Sequence, residues 1–374
     1  MSKKSELLIG VDGNEANLIQ NRVGSNQAVF GLLNGLSNVD KFNEYVIYLA
    51  SLPLPDMPIS SGQWHYRVIP PAKMWTQWRL PLDLYTHTPK PDIFLSPSHY
   101  APRFSPVPNV VIIADLGYLK FPQFYTKKDY WQLKNWTEYS IKKSVHIIAV
   151  SETTKKDLIE YYKIPPTKIS VIYHGYDKNL YRKMENKSKV SNVLKKYCIT
   201  KPYILFLGSL RPTKNIERLI EAFSMLKNKE TKLVLAGKKG WMYASVFKKI
   251  SELKLGMRVV FTDYVPSEDL PYIISGTEVF TLPSLYEGFG IPVIEAMACG
   301  VPTLVSNVGS LPEVVQDASV IVDPFSVEEI ANGIDTAVKK RNVLIDKGFR
   351  RIKYFDWKDS ARKTLRILEE AART

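Results

Sequence analysis

Ser284-Leu285-Tyr286-Glu287-Gly288-Phe289-Gly290-Ile291-Pro292-Val293-Ile294-Glu295-Ala296-Met297-Ala298-Cys299-Gly300-Val301-Pro302 is the stretch on which the reading of this chain turns. The residues before it, Glu278-Val279-Phe280-Thr281-Leu282-Pro283, are mostly apolar and β-prone, which predicts a short buried strand ending at Pro283. Gly288 and Gly290 permit backbone angles closed to other residues and let a ligand approach the main chain. Pro292 suits the first turn of a helix, where its missing N–H is not needed. That helix continues through Ile294, Ala296, Met297 and Ala298, Gly300 stops it at C′, and Pro302 follows. Glu295 therefore lies near the positive pole of the helix, which favours a carboxylate. Strand, glycine turn and helix N-terminus form an anion site of the kind found in open α/β sheets. Glu287 and Glu295, eight residues apart, suit acceptance of hydrogen bonds from hydroxyls. Read alone, the same pattern also fits an ordinary strand–turn–helix with one surface and one capping glutamate.

The 374 residues suffice for two domains with cores of their own. Strand-like runs at 7–12, 45–49, 93–95, 109–113, 145–150 and 168–173 alternate with helical patterns, the first from about Ser25 to Leu36. Such alternation predicts a parallel, doubly wound sheet. Residues 178–200 are lysine-rich and lose apolar periodicity, so they read as a linker with a short helix. The pattern restarts with strands at 203–208, 232–237 and 258–261 and a helix over 216–226. An amphipathic helix covers Trp357 to Ala372.

The run from Glu287 to Pro302 closely resembles the signature of the retaining, family-4-type glycosyltransferases (glycosyl transferases group 1), which carry a Glu-x7-Glu motif. The resemblance continues through Val305-Ser306-Asn307-Val308-Gly309-Ser310-Leu311-Pro312-Glu313, similar to the family's second glycine loop, which approaches the donor. It implies the α/β GT-B fold: two Rossmann-like doubly wound parallel-sheet domains facing a cleft, with the C-terminal helix returning to the first. On this chain that gives an acceptor-side domain over 1–185, completed by 356–374, and a donor-binding domain over 186–355. The resemblance also implies roles. Glu287 holds hydroxyls of the transferred sugar, the backbone of Gly288, Phe289, Gly290 and Ile291 adds N–H donors, and Glu295 binds the ribose. Leu207-Gly208-Ser209-Leu210-Arg211-Pro212-Thr213-Lys214-Asn215 resembles the family's phosphate loop, in which Lys214 matches the lysine that contacts the donor phosphates. Where the family often has an arginine directly after the glycine, this chain has Ser209, and Arg211 is the substitute two residues on. Tyr264 and Val265 match strand-end positions bordering the nucleotide base. Asn21-Arg22-Val23-Gly24-Ser25 resembles the glycine loop beneath the donor phosphates, with Gly24 as its close-approach residue.

Related enzymes often carry His-Asp at the end of a first-domain strand. The corresponding Ile112-Ile113-Ala114-Asp115-Leu116 has Ala114 in the histidine position. Asp115 then joins Glu287 and Lys214 as a catalytic candidate, with a turn-capping aspartate as the alternative. His99, in Ser96-Pro97-Ser98-His99-Tyr100, follows another strand and is an acceptor-side candidate or a structural loop histidine.

The implied activity is transfer of a hexose, mannose-like by preference, from a nucleotide-diphosphate sugar to a saccharide or lipid-linked acceptor, with retention. Lys214, with Arg211, neutralises charge on the leaving diphosphate. No cofactor and no metal is expected, and there is no Asp-x-Asp signature. Two other classes stay open: a GT-B nucleotide-sugar epimerase, and a non-catalytic nucleotide-sugar-binding relative, which Ala114 keeps in view.

The formal net charge of +14 implies an acidic partner, such as a phosphorylated substrate or anionic lipid, and no nucleic-acid motif accompanies it. The two cysteines, Cys198 and Cys299, argue against a disulfide scaffold or a cysteine metal site. With no signal peptide and no membrane-spanning stretch in the sequence, a cytoplasmic location is expected. The aromatic and lysine-rich segment from Phe124 to Lys143 reads either as a helix resting on an anionic membrane or as one packing its aromatic face on its own sheet.

Overall fold

Short β-branched and aromatic runs, separated by amphipathic helices, build two all-parallel sheets in the computed structural model, which describes residues 6–18, 22 and 24–373. The chain divides into two units, Met1–Gly175 with Phe355–Thr374, and Tyr176–Tyr354.

In the first unit the strands are β1 (Leu8–Asp12), β2 (Glu44–Leu49), β3 (Trp64–Val68), β4 (Ile93–Ser96), β5 (Asn109–Ile113), β6 (His146–Ala149) and β7 (Ile169–Val171). Their order is β3-β2-β1-β4-β5-β6-β7. β4 and β5 are buried along their whole length, as a parallel sheet covered on both faces requires. The helix Trp357–Ala371 packs on the helix Ser25–Val39, and Ser360 Oγ donates to the carbonyl of Tyr173 at 2.5 Å. The terminal helix thus completes the first unit. The helix Lys127–Lys143 turns its aromatic face inward, with Tyr130 against Tyr118 at 6.4 Å and Trp136 against Tyr100 at 5.4 Å between ring centroids. Of the two readings of this segment, packing on its own unit accounts for most of its aromatic side chains.

The second unit holds β8 (Tyr203–Leu207), β9 (Lys232–Ala236), β10 (Val259–Asp263), β11 (Val279–Leu282), β12 (Thr303–Ser306) and β13 (Val320–Val322), in the order β10-β9-β8-β11-β12-β13. In each sheet the order reverses direction once, between β1 and β4 and between β8 and β11. Ligands of doubly wound sheets bind beyond the strand ends at such points. Residues 178–200 are not a linker. Tyr181 is buried, and the helix Lys187–Lys196 buries Val190, Val193 and Leu194 and packs on the helix Leu270–Gly276. The division falls after Gly175, ten residues before the position expected from composition. Among the described residues no helix is long and apolar enough to cross a membrane.

Candidate active site

β8 and β11 are parallel neighbours, with Val279 beside Ile204 and Phe280 beside Leu205, so the loops leaving their C-terminal ends run together. Leu285 N–H donates to the Thr213 carbonyl at 2.8 Å. Asn215, with φ 60°, closes the phosphate loop, and its amide donates to the carbonyls of Pro283 at 3.0 Å and Pro324 at 2.6 Å. These bonds seat Lys214 beside Glu287. Lys214 Nζ meets Glu287 Oε1 at 2.5 Å, and Ser284 Oγ donates to the same oxygen at 2.6 Å. The two charged side chains are only 13% and 12% exposed.

The segment after β12 holds the main chain of Glu287. Ser310 donates to the Glu287 carbonyl through its N–H at 3.2 Å and its Oγ at 3.0 Å. Ser310 therefore anchors the main chain of Glu287. The helix Ile291–Ala298 starts at Gly290, with φ 93°, and has no side-chain cap. A Cβ at 290 would lie 2.6 Å from Leu311 Cδ2, so glycine is needed there for both angle and space. The uncapped first turn leaves N–H groups for an anion. Gly288, Phe289 and Ile291 are buried around it.

Glu295 is placed differently from Glu287. It is 5% exposed on the inner side of that helix, and the Tyr181 hydroxyl donates to it. Burial pushes its carboxyl up to about 8, and the nearby Asp177 adds to the rise. Lys214 and Ser284 bond Glu287, while Tyr181 bonds Glu295. Because the folded-state value lies above the usual 4.5, ionising Glu295 works against folding, so its contribution is full below pH 4.5 and is lost as pH rises through about 8. Glu295→Gln is expected to flatten the fall in thermal midpoint between pH 5 and 9. Parallel melting curves for both proteins would sink the assignment.

Arg211 lies one turn before Lys214, whose N–H donates to the Arg211 carbonyl at 2.9 Å. Its guanidinium sits 4.9 Å over the Trp241 ring, while its buried Nε finds no partner among the described residues. Tyr264 is half-buried with Lys238 Nζ 4.9 Å from its ring centroid, and Val265 is buried. Arg211, Lys214, Glu287 and Tyr264, expected at a donor site, thus all lie on segments that follow strand ends of the second sheet.

In the first unit, Gly24 caps the helix Ser25–Val39 with φ 54° and no side-chain cap, and space beside its Cα is open. Asn21 and Val23 of the expected glycine loop lie outside the described residues. Asp115 Oδ1 accepts from Gly117 N–H at 2.9 Å, the turn-capping role. His99, with φ 52°, takes the Ala114 N–H on Nε2 at 3.3 Å. The imidazole therefore stands against the main chain of Ala114. Burial holds its pKa below the ordinary value, opposed by the charge of Asp115. With Nε2 accepting, the neutral ring carries its proton on Nδ1, which is buried without a partner among the described residues.

Two acids that motif reading passed over lie at the end of β1. Asp12 Oδ1 accepts from Asn14 N and Nδ2 at 3.1 and 3.0 Å, and burial pushes its carboxyl up to about 6. Glu15, bonded by Asn26, is raised for the same reason. The signal available was the polar turn Asp12-Gly13-Asn14-Glu15 directly after a buried strand.

A family model described as glycosyl transferases group 1 matches residues 194–362, and one described as Glycosyltransferase Family 4 matches residues 38–180. The O-antigen chain mannosyltransferase B of Escherichia coli is 30% identical over 264 residues, 68% of each chain. Among solved structures, sucrose-phosphate synthase from Thermosynechococcus elongatus superposes with a TM-score of 0.78 at 19% identity, over 98% of this chain and 99% of that one. The Anabaena protein HepE in complex with UDP-glucose gives a TM-score of 0.75 at 17% identity, over 97% and 99%. The architecture shared with these structures is GT-B. With both halves matched and the relative covered over two thirds of its length, the chain belongs to the group 1, family-4-type glycosyltransferases.

Proposed function

We propose that this chain transfers a hexose, mannose by preference, from a nucleoside diphosphate sugar to a saccharide or lipid-linked saccharide acceptor, with retention, in polysaccharide or glycolipid synthesis. The carrying observation is the Lys214–Glu287 pair, held at the β8/β11 strand ends beside an uncapped helix N-terminus. Support for the sugar comes from the mannosyltransferase name of the E. coli relative, and for the nucleotide from the UDP-glucose bound in HepE.

In this reading the donor diphosphate draws Lys214 Nζ from Glu287, whose oxygens turn to the sugar hydroxyls. The bond from C1 to the phosphate oxygen breaks while the acceptor oxygen bonds C1 on the same face. The acceptor proton passes to the departing phosphate. Lys214, Arg211 and the helix N-termini stabilise the charge growing on that leaving group, so we assign no metal and no cofactor to the step. A double-displacement glycosidase needs two carboxylates roughly 5 Å apart. Glu287 is bonded by Lys214 and Glu295 by Tyr181, and we assign neither the role of nucleophile.

Nucleotide release from a panel of GDP- and UDP-sugars, with and without saccharide acceptors, tests the proposal. Acceptor-dependent release with an α-linked product from an α-linked donor is expected. Sugar interconversion without acceptor would make the chain an epimerase, and saturable binding without release would make it a non-catalytic relative.

A further inference from the structure

The π-helical turn Trp75–Arg79 and the helix Leu80–Thr86 cover one flank of the first sheet. Trp75, Leu80 and Leu84 point inward and pack with Tyr48, Ile69 and Phe94. A surface helix built this way carries polar residues on its outer side. Here the outer side is apolar as well: Met74, Trp78, Leu82 and Tyr85 recur at spacings of four, four and three, and are 45%, 70%, 56% and 53% exposed. Phe104, 68% exposed, extends the row, because Arg103 N–H bonds the Thr76 carbonyl at 2.8 Å and ties its loop to this turn. A shallow groove of about 360 Å³ between Tyr85, Phe104, Tyr139 and Lys143 continues the same surface.

Cations border this row. From Asp56 to Asp115 the chain carries Arg67, Lys73, Arg79, Lys90 and Arg103 against Asp56, Asp83, Asp92 and Asp115. Asp56 is paired with Arg22 at 2.5 Å, and Asp115 accepts the Gly117 N–H at 2.9 Å. Asp83 is buried and paired with Arg67 at 2.6 Å, and Asp92 accepts the Leu8 N–H at 2.8 Å. Lys90 Nζ lies 5.9 Å from the Tyr85 ring centroid, and the exposed Lys143 borders the groove.

We infer that the row Met74, Trp78, Leu82, Tyr85 and Phe104 is a docking face for an anionic lipid bilayer, its apolar side chains entering the headgroup boundary and Lys73, Lys90 and Lys143 meeting lipid phosphates. An exposed aromatic and aliphatic row flanked by cations is the composition that lies in such an interface. The helix Lys127–Lys143 is the lesser candidate, since its aromatic face packs inward and Asp129 and Glu138 lie on it. The inference stands apart from the transferase reading, because it concerns where the chain rests and not what it transfers.

Flotation of the full chain with phosphatidylglycerol-containing vesicles, against pure phosphatidylcholine, is the test. Binding to the anionic vesicles alone is expected. Trp78→Ser/Leu82→Ser lowers the partition coefficient by about tenfold or more, and so does Lys90→Glu/Lys143→Glu, whose two lysines are exposed. Lys127→Glu/Lys128→Glu lies off the row and stays within about twofold of wild type. No flotation of wild type overturns the inference. So does equal flotation of the Lys90/Lys143 variant, or a dimer on size exclusion that Trp78→Ser disperses, which would make the row a contact between copies.

Discussion

Lys214→Met is expected to cut transfer turnover by about 10²–10³-fold, the scale of losing one preorganised charge partner for a developing anion. The lysine is confined before the donor arrives: Asn215 bonds two carbonyls on other loops, and Glu287 holds the ammonium at 2.5 Å. The loop that carries it is therefore already in place, and only the ammonium changes partner, from Glu287 to the diphosphate. Glu287→Gln is expected to fall into the same range, since the carboxylate both stations the lysine and faces the sugar. The double variant then loses little more than either single change, because the two act as one unit. Steady-state rates with a saturating donor decide this. If Lys214→Met keeps turnover within threefold of wild type, the assignment of the pair is wrong. If donor binding by calorimetry is lost while folding is intact, Lys214 acts in the ground state instead.

Gly237→Ala is the change expected to cost most in stability. Gly237 follows β9 with φ 139°, and a Cβ there would lie 2.2 Å from the carbonyl oxygen of Gly208. Backbone cannot move aside as a side-chain tip can. Strained angle and overlap together predict a loss of about 3 kcal/mol or more. The damage is also local to the chemistry. Leu210 N–H bonds the Lys238 carbonyl at 2.9 Å, and Gly240 N–H bonds Leu210 at 3.1 Å, so the ends of β8 and β9 are clasped where Arg211 and Lys214 begin. A urea midpoint matching wild type would show that this close approach does not exist in solution.

Both doubly wound sheets were legible because buried parallel strands are written as uninterrupted apolar runs, whereas the order of the strands came only from the structure. β3 escaped notice: Trp64-His65-Tyr66-Arg67-Val68 is an edge strand with one half-exposed side, so polar residues interrupt it. Residues 176–185 were assigned to the first unit because nothing periodic marks them, yet Tyr181 is tied there to Glu295 by a single hydroxyl. No local pattern encodes that kind of contact. At the site, Glu287 and Lys214 could be named from their loops, but their bond joins residues 73 positions apart. The support by Ser284, Ser310 and Asn215 was hidden for the same reason. Small polar residues at strand ends look alike in sequence until the sheet order makes them neighbours. His99 shows the reverse: its motif looked weak, and its left-handed backbone and bond to Ala114 became visible only in three dimensions.

The packing of Trp357–Ala371 on Ser25–Val39 has a consequence for the order of events during synthesis. Gly31, Gly35 and Gly175 leave the room that Trp357 fills, and Asn43 reaches Glu369 across 326 positions. The first unit to emerge from the ribosome is therefore the last to be finished. Residues Tyr176–Tyr354 form a continuous stretch and are complete when released, while the earlier sheet waits with one helix face uncovered. At roughly 5–20 residues per second, that wait lasts about 10–40 s, an interval in which a chaperone has the apolar face of Ser25–Val39 to hold.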